Sequence, residues 1–162
     1  MRILVLGAGR MGLGCAFDLI HSPDVDRVTL ADLDLQRAEE VSQRLHSPKL
    51  TPVQVNVEET QRLVELMHGH DTVISCVVYK HNFTLAMAAV AARTHFCDLG
   101  GNNEVVNKEL SLDSQAQAAG ICIIPDCGLA PGLVSVLTAH GAAEYDELVS
   151  IQIRQRGVPL YP

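Results

Sequence analysis

Apolar and polar residues follow each other along this chain in a pattern that predicts repeating βα units. Short, almost wholly apolar runs, typical of strands buried on both faces of a sheet, alternate with stretches of helical apolar spacing. The predicted strands are residues 2–6, 27–31, 50–57, 71–78, 95–99 and 121–124. The first predicted helix follows the first glycine turn and ends at about residue 21. Further helices are predicted over 34–46, 59–67, 83–93 and 104–119, and a last one begins near 133. Six βα units in succession predict an α/β fold, a doubly wound parallel sheet in the strand order 3-2-1-4-5-6.

A glycine-rich turn, GAGRMG, joins the first predicted strand directly to the first helix. In that context the GxGxxG spacing indicates a Rossmann dinucleotide site. Gly7 allows the tight turn, Gly9 lets a pyrophosphate approach the backbone, and Gly12 lets the helix pack on the strand. Backbone amides and the positive end of the helix dipole then face the phosphates. The predicted pyrophosphate-binding residues are Gly7, Gly9, Arg10, Met11 and Gly12.

An acidic residue, Asp32, ends the second predicted strand, 20 residues after Gly12. A carboxylate at this place accepts hydrogen bonds from the adenosine ribose hydroxyls and repels a 2′-phosphate. We therefore predict that Asp32 binds the ribose, that the adjacent Leu33 also belongs to the cofactor site, and that the cofactor is NAD rather than NADP. Two alternatives stay open. In the first, Asp32 only caps the next helix, although Asp34 is better placed for that. In the second, Arg37 partly compensates the charge of a 2′-phosphate, so that NADP is also accepted.

The loops that follow the last three predicted strands carry polar residues and glycines, at the sheet edge where this fold binds ligands. They read CVVYKHN over 76–82, DLGGNN over 98–103 and PDCGLAPG over 125–132. The predicted residues lining the cofactor are Cys76, Val77 and Tyr79. Those of the predicted substrate-side turn are Gly100, Gly101, Asp126, Gly128, Pro131 and Gly132. The catalytic residues stay unknown, with Tyr79, His81 and Asn102 as candidates, while ordinary βα turns and a plain loop histidine remain the alternatives.

Composition excludes several classes of partner. The 162 residues carry a formal charge of −7 and a pI near 5.4, which argues against nucleic acid, because binding phosphates requires a basic face. No apolar run approaches the roughly 20 residues that span a bilayer, and the first strand lacks the pattern of a signal peptide. We therefore predict no membrane partner and a cytoplasmic location.

The cysteines and histidines predict no metal site. The five cysteines have no CxxC spacing, and most end apolar runs, so buried and reduced thiols are predicted. His68 and His70 form an HxH motif at a strand entrance, away from the predicted cofactor edge and with no third ligand nearby. We predict that both are surface histidines.

The last residues differ in kind from the βα units. In 147–154, Ile151 and Ile153 alternate with polar residues, which indicates a strand with one solvated face, outside a parallel sheet. We predict a dinucleotide-binding domain over 1–145, and in 146–162 the start of a truncated substrate or catalytic domain. The apolar faces of 134–137 and 151–153 then lack their cover, which predicts a homodimer.

Together with Asp32, the motifs GAGRMG, CVVYKHN, DLGGNN and PDCGLAPG resemble the saccharopine dehydrogenase family, and within it the lysine 6-dehydrogenase branch. The resemblance implies an oxidoreductase acting on a small amino acid, passing a hydride between an amine-bearing carbon and C4 of a nicotinamide. Oxidation of the lysine ε-amine by NAD is the favoured reaction. The resemblance also implies a second domain, inserted after the sixth βα unit, that carries much of the substrate pocket, so this chain alone is expected to be inactive.

Three questions stay open at this level. The general base is either one of the candidates above or a residue of the second domain. The same family also contains enzymes for other amines, such as polyamine precursors, and a nucleotide domain does not distinguish them. A function of another class, a stand-alone NAD-sensing regulatory module, shares GxGxxG and the acid of the second strand, but has no need of the DLGG and PDCGLAPG turns.

Overall fold

The computed structural model describes residues 1–154, and its elements alternate as the apolar pattern predicts. The strands are β1 (Arg2–Leu6), β2 (Arg27–Asp32), β3 (Leu50–Gln54), β4 (Thr72–Ser75), β5 (His95–Asp98) and β6 (Ile123–Ile124). The helices are α1 (Arg10–His21), α2 (Leu35–Leu45), α3 (Thr60–His68), α4 (Asn82–Ala92), α5 (Asn103–Leu110), α6 (Asp113–Ala119) and α7 (Leu133–Ala142). A 3₁₀ turn, Tyr79–His81, precedes α4.

All six strands pair in parallel in the order β3-β2-β1-β4-β5-β6, which confirms the predicted doubly wound sheet. The central strand β1 pairs with β2 on one side, where Leu4 lies opposite Thr29, and with β4 on the other, where Leu4 lies opposite Val73. The chain therefore returns from the edge strand β3 to the centre of the sheet. The carboxyl ends of β1 and β4 flank the point where the strand order reverses, which is where such sheets bind ligands.

Successive residues of β1 point to opposite faces of the sheet, and each face has its own apolar core. Leu4 and Leu6 pack in one cluster with residues of α3 and α4, among them Leu63 and Leu85. Ile3 and Val5 pack in the other with residues of α1 and α2: Ala16, Ile20, Ala38 and Val41. Burial on both sides explains why this strand reads as an uninterrupted apolar run.

The single helix predicted over 104–119 is wrong, because the structure divides this segment into α5 and α6. The Ser111 hydroxyl donates a hydrogen bond to the carbonyl of Lys108 at 2.6 Å and closes the first helix. Leu112 then turns into the core cluster beside α4. Asp113 begins the second helix, where a negative charge is favoured by the helix dipole.

The strand predicted within 147–154 is also wrong, because these residues form no regular structure. A strand is stabilised by its hydrogen-bonded ladder, and none of the described strands pairs with this segment. Residues 155–162, which include the remainder of the predicted second domain, lie outside the described residues.

The prediction of buried thiols needs correction. Cys15, Cys76 and Cys97 are half-buried, and Cys122 and Cys127 are exposed. Cys76 and Cys127 follow strand ends, where the chain leaves the core for loops, and this accounts for their access to solvent. Among the described helices, none combines the length and the apolar character needed to cross a bilayer.

Candidate functional site

The glycine loop presents open backbone at the carboxyl end of β1. Gly7 adopts a φ of +98° and donates its amide to the carbonyl of Ala31 at 2.7 Å, which fixes the turn to β2. Gly9 is the N-cap of α1, and a Cβ built at this position meets no atom within 4 Å. A ligand oxygen therefore has free access to the backbone at the start of the helix, where anions bind.

Gly12 holds the first turn of α1 directly against this loop. A Cβ at Gly12 would overlap the carbonyl oxygen of Gly7, so only glycine allows this approach. Arg10 and Met11 lie exposed in the same helical turn. The loop residues predicted for the pyrophosphate thus come together in one turn of backbone.

Asp32 links the end of β2 to the glycine loop. One carboxylate oxygen accepts the amide of Ala8 at 2.7 Å, and the other accepts the amide of Asp34 at 3.0 Å. The cap of α2 is Asp34, whose side chain accepts the amide of Gln36, so Asp32 is not needed as that cap. Since a carboxylate oxygen accepts more than one hydrogen bond, Asp32 keeps acceptor capacity toward a ligand.

A cleft of about 220 Å³ opens beside Asp32, between the ends of β1, β2, β3 and β4. Its lining residues are Gly7, Ala31, Asp32, Leu33, Val55, Asn56, Val57, Glu58, Val77 and His81. Sequence reasoning did not identify the four residues after β3, 55–58, although the exit of a strand next to β2 was an available signal. The lining carries two carboxylates, those of Asp32 and Glu58, and neither lysine nor arginine.

The segment after β4 runs beside the glycine loop. The amide of Cys76 donates to the carbonyl of Leu6 at 2.8 Å, and a Cβ at Gly7 would lie 2.9 Å from the Cys76 oxygen. Val77 lines the cleft, whereas Tyr79 lies further along, in contact with Gly101. The structure therefore groups the candidate His81 with the cleft of Asp32, and Tyr79 with the DLGG turn.

The turns after β5 and β6 meet at Asp98. Its carboxylate accepts the amide of Gly100 at 2.6 Å and the amide of Asp126 at 3.5 Å, while its carbonyl accepts the amide of Cys127. Gly100 has a φ of +71°, and a Cβ there would overlap the Asp126 carboxylate. The two turns predicted to face the substrate are thus one hydrogen-bonded unit.

Within the PDCGLAPG turn the glycines are packed against backbone. A Cβ at Gly128 would overlap the carbonyl oxygen of Leu99, and one at Gly132 would overlap that of Gly128. The Ala130–Pro131 peptide bond is cis. Asn102 has a structural task, because its side-chain oxygen caps α5 by accepting the amides of Glu104 and Val105.

Below the DLGG turn lies a pair of buried carboxyl groups that sequence reasoning missed. Asp98 is 0% exposed and Glu109, on α5, is 1% exposed. Within the described residues, Oδ2 of Asp98 and both oxygens of Glu109 have no hydrogen-bond partner. Burial raises the pKa of Glu109 to about 8, and the neighbouring Asp98 side chain contributes to the same shift. A carboxyl group with this pKa is mostly protonated at neutral pH, which avoids placing a second negative charge beside Asp98.

The histidines of the HxH motif have separate structural contacts. His70 bonds the Thr29 hydroxyl at 2.7 Å and the carbonyl of Leu66 at 2.8 Å, and burial lowers its pKa. It is half-buried, which corrects the prediction of a surface residue, whereas His68 is exposed and contacts the carbonyl of Ala92 at 3.1 Å. Both rings anchor the entrance of β4.

Comparison with known proteins identifies the family of this site. The profile described as "Saccharopine dehydrogenase NADP binding domain" matches residues 3–124. The chain belongs to the saccharopine dehydrogenase family. A saccharopine dehydrogenase [NADP(+), L-glutamate-forming] of Pyricularia oryzae is 28% identical over 132 residues, which cover 81% of this chain and 28% of the relative.

Two further proteins extend the comparison. A carboxynorspermidine synthase of Vibrio cholerae is 26% identical over 175 residues, covering 94% of this chain and 42% of that enzyme. The solved apo saccharopine dehydrogenase (L-Glu forming) of Saccharomyces cerevisiae superimposes with a TM-score of 0.72 at 23% identity, over 88% of this chain and 31% of that one. The chain thus spans less than half the length of these relatives. It is a saccharopine dehydrogenase-like domain that binds a nicotinamide dinucleotide.

Proposed function

We propose that this chain is the NAD-binding domain of an amine dehydrogenase of the saccharopine dehydrogenase family, acting on an amino-acid C–N bond with the lysine ε-amine as the favoured substrate. In this proposal residues 1–145 form the nucleotide domain and 146–162 begin the domain that completes the substrate pocket. The observation that carries it is the family match together with a hydrogen-bonded pair of turns, after β5 and β6, at the same edge of the sheet as the nucleotide loop.

The charge of the cleft favours NAD over NADP. Asp32 and Glu58 both line it, and no lysine or arginine lines it to neutralise a 2′-phosphate. A phosphate placed there would meet two negative charges at close range, where repulsion is strong. The family profile is described as NADP-binding, so we propose that the residues of this cleft set the preference of this chain.

Each part of the site has its own task in the proposed function. The open backbone at Gly9 and the amides that begin α1 bind the pyrophosphate, while Asp32 accepts hydrogen bonds from the ribose. Tyr79, in contact with Gly101, borders the nicotinamide and the substrate-side turn. The nicotinamide, when bound, supplies the hydride acceptor, and the turns held by Asp98 position the amine-bearing carbon next to it.

A second candidate substrate class is a polyamine precursor. Its support is the carboxynorspermidine synthase of Vibrio cholerae, which matches 94% of this chain. Both classes present an amine-bearing carbon, and the residues that distinguish them belong to the pocket rather than to the fold. Assaying the protein that carries this domain with NAD and either L-lysine or a carboxylated polyamine, by the absorbance of the reduced nicotinamide, separates the two.

Replacing Asp32 with asparagine is expected to weaken the preference for NAD over NADP. The change keeps the size of the side chain but removes the negative charge and one of the two carboxylate acceptors. Because hydrogen bonds to a charged acceptor contribute roughly 1.5–3 kcal/mol, affinity for NAD should fall at least about tenfold. Affinity for NADP should rise relative to NAD. Isothermal titration calorimetry with each cofactor measures both effects.

The matched control for this experiment is Asp34→Asn, two residues away. Asparagine caps helices as well as aspartate does, so α2 keeps its cap while the loop loses the same charge. This variant should retain the NAD preference of the unmodified chain. Equal binding of NAD and NADP by the unmodified chain, unchanged in Asp32→Asn, would contradict the assignment of NAD.

We also propose that the chain forms a homodimer through α7. This helix buries none of its residues, and Val136 is 67% exposed beside the exposed Leu133 and Leu137. Apolar patches of this kind mark interaction surfaces. Sedimentation at micromolar concentration should show a dimer, and the double substitution Val136→Lys and Leu137→Glu should convert it to a monomer. A monomeric unmodified chain would refute this proposal.

A further inference from the structure

Two cysteines that the proposed function does not use lie in contact behind the glycine loop. The Sγ atoms of Cys15, on α1, and Cys76, after β4, are 3.7 Å apart although 61 residues separate them in the sequence. Both side chains are half-buried, between α1 and the sheet, so small oxidants reach them. A disulfide bond is about 2.05 Å long, and the two sulfur atoms need to approach by only roughly 1.7 Å to form one.

The two thiols differ in reactivity. The hydrogen bond from the Cys76 thiol lowers the pKa of Cys15 to about 7, which favours the Cys15 thiolate. The same contact, with burial, raises the pKa of Cys76, which keeps its proton. Cys97, also half-buried, has a pKa raised by burial to about 12 and is unreactive by comparison.

We propose that Cys15 and Cys76 form a peroxide-sensitive dithiol that closes to a disulfide behind the glycine loop. The Cys15 thiolate attacks one oxygen of hydrogen peroxide and breaks the O–O bond. Cys15 becomes a sulfenic acid, and the departing hydroxide takes up a proton to form water. The Cys76 sulfur then displaces the sulfenic hydroxyl, which leaves with the Cys76 proton as a second water. Two thiols and one peroxide thus give one disulfide and two waters, and a dithiol reductant reverses the change.

The position of the pair couples it to the nucleotide loop, a consequence that rests on the proposed function. The Cys76 carbonyl packs against Gly7, and the next residue, Val77, lines the cleft. Cys15 lies on the helix that begins at the loop. Closing the disulfide draws α1 and the segment after β4 together, and both contact the glycine loop. The affinity for NAD should therefore fall at least about fivefold, which is the lower end of typical coupling between sites.

Peptide mapping without reduction tests the disulfide directly. After treatment with hydrogen peroxide, the unmodified chain should yield a peptide that joins Cys15 to Cys76, two hydrogens lighter than its parts. The matched control Cys97→Ser, which removes another half-buried cysteine, should yield the same peptide. Cys15→Ser should yield none, and Cys76→Ser should stop at a sulfenic acid on Cys15, captured by dimedone. Circular dichroism verifies that each variant is folded.

Several outcomes would overturn the proposal. Modification of the exposed Cys122 and Cys127 with Cys15 left unreacted, or a link from Cys15 to any cysteine other than Cys76, would refute the disulfide. These readouts do not depend on nucleotide binding, so they stand apart from the proposed function. Calorimetry on the oxidised chain follows, and unchanged affinity for NAD in a chain that carries the mapped disulfide would refute the coupling to the glycine loop.

Discussion

Replacing Gly12 with alanine is expected to abolish cofactor binding and to lower the free energy of unfolding by about 3 kcal/mol. The added Cβ would overlap the carbonyl oxygen of Gly7, and backbone does not rotate away as a flexible side chain does. Overpacking of this kind costs typically 1–3 kcal/mol, and here relief requires α1 to move off the loop. Moving α1 displaces the amides at its start from the position proposed for the pyrophosphate. Urea denaturation and NAD calorimetry measure the two losses.

Gly14→Ala is the matched control, because it adds the same methyl group to the same helix. A Cβ at Gly14 meets no atom within 4 Å, and the residue is exposed. Alanine in a helix interior is more stable than glycine by roughly 0.5–1 kcal/mol, so this variant should gain stability and bind NAD normally. If the two variants behave alike, Gly12 does not have the close-packing role that the structure assigns to it.

Replacing Glu109 with glutamine is expected to remove a large pH dependence of stability. The pKa of the buried Glu109 is raised from about 4.5 to about 8, so between these values the folded chain keeps a proton that the unfolded chain releases. The contribution of Glu109 to the free energy of unfolding should therefore be greatest below pH 4.5. It should fall as the pH rises to 8, by at most about 1.4 kcal/mol per pH unit. Glutamine has nearly the same size and does not titrate, so the slope should disappear.

Urea denaturation between pH 5 and pH 8 measures this difference in slope between the variant and the unmodified chain. Glu104→Gln is the control, because Glu104 lies exposed in the first turn of the same helix. It should leave the slope unchanged. Glu109→Leu tests the pairing itself: it removes the polar group that faces the buried Asp98 carboxylate and should lower stability at pH 7 by about 3 kcal/mol. A slope that persists in Glu109→Gln would show that another group titrates.

The sequence predicted the parts of the fold that depend on local pattern. The run 2–6 with its glycine turn identified β1, α1 and the loop between them, and the six βα units indicated the strand order. The pattern failed where contacts with distant parts of the chain determine the secondary structure. Ile151 and Ile153 alternate like a strand, yet no described strand pairs with them. The helical spacing over 104–119 continues through Leu112, and only packing into the core shows why the helix breaks there.

The candidate site was predictable to about the same extent as the fold. The positions of Gly7, Gly12 and Asp32 follow from a motif whose spacing reflects a fixed geometry. The residues after β3 that line the cleft carry no such spacing, because any side chain of suitable size serves there. The Asp98–Glu109 pair forms only when α5 packs beneath the DLGG turn, and a distance of 11 residues in sequence gives no indication of that contact.

The hydrogen bond from the Ala8 amide to Asp32 has a consequence for the engineering of coenzyme preference. Because the carboxylate already holds the loop in shape, an arriving cofactor orders little backbone, and less of its binding energy is lost to entropy. In the proposed function, the same side chain therefore both selects the ribose and supports the loop. Exchanging it for a small neutral residue to admit a phosphate also releases Ala8. A successful redesign therefore needs a second substitution that gives the Ala8 amide a new acceptor.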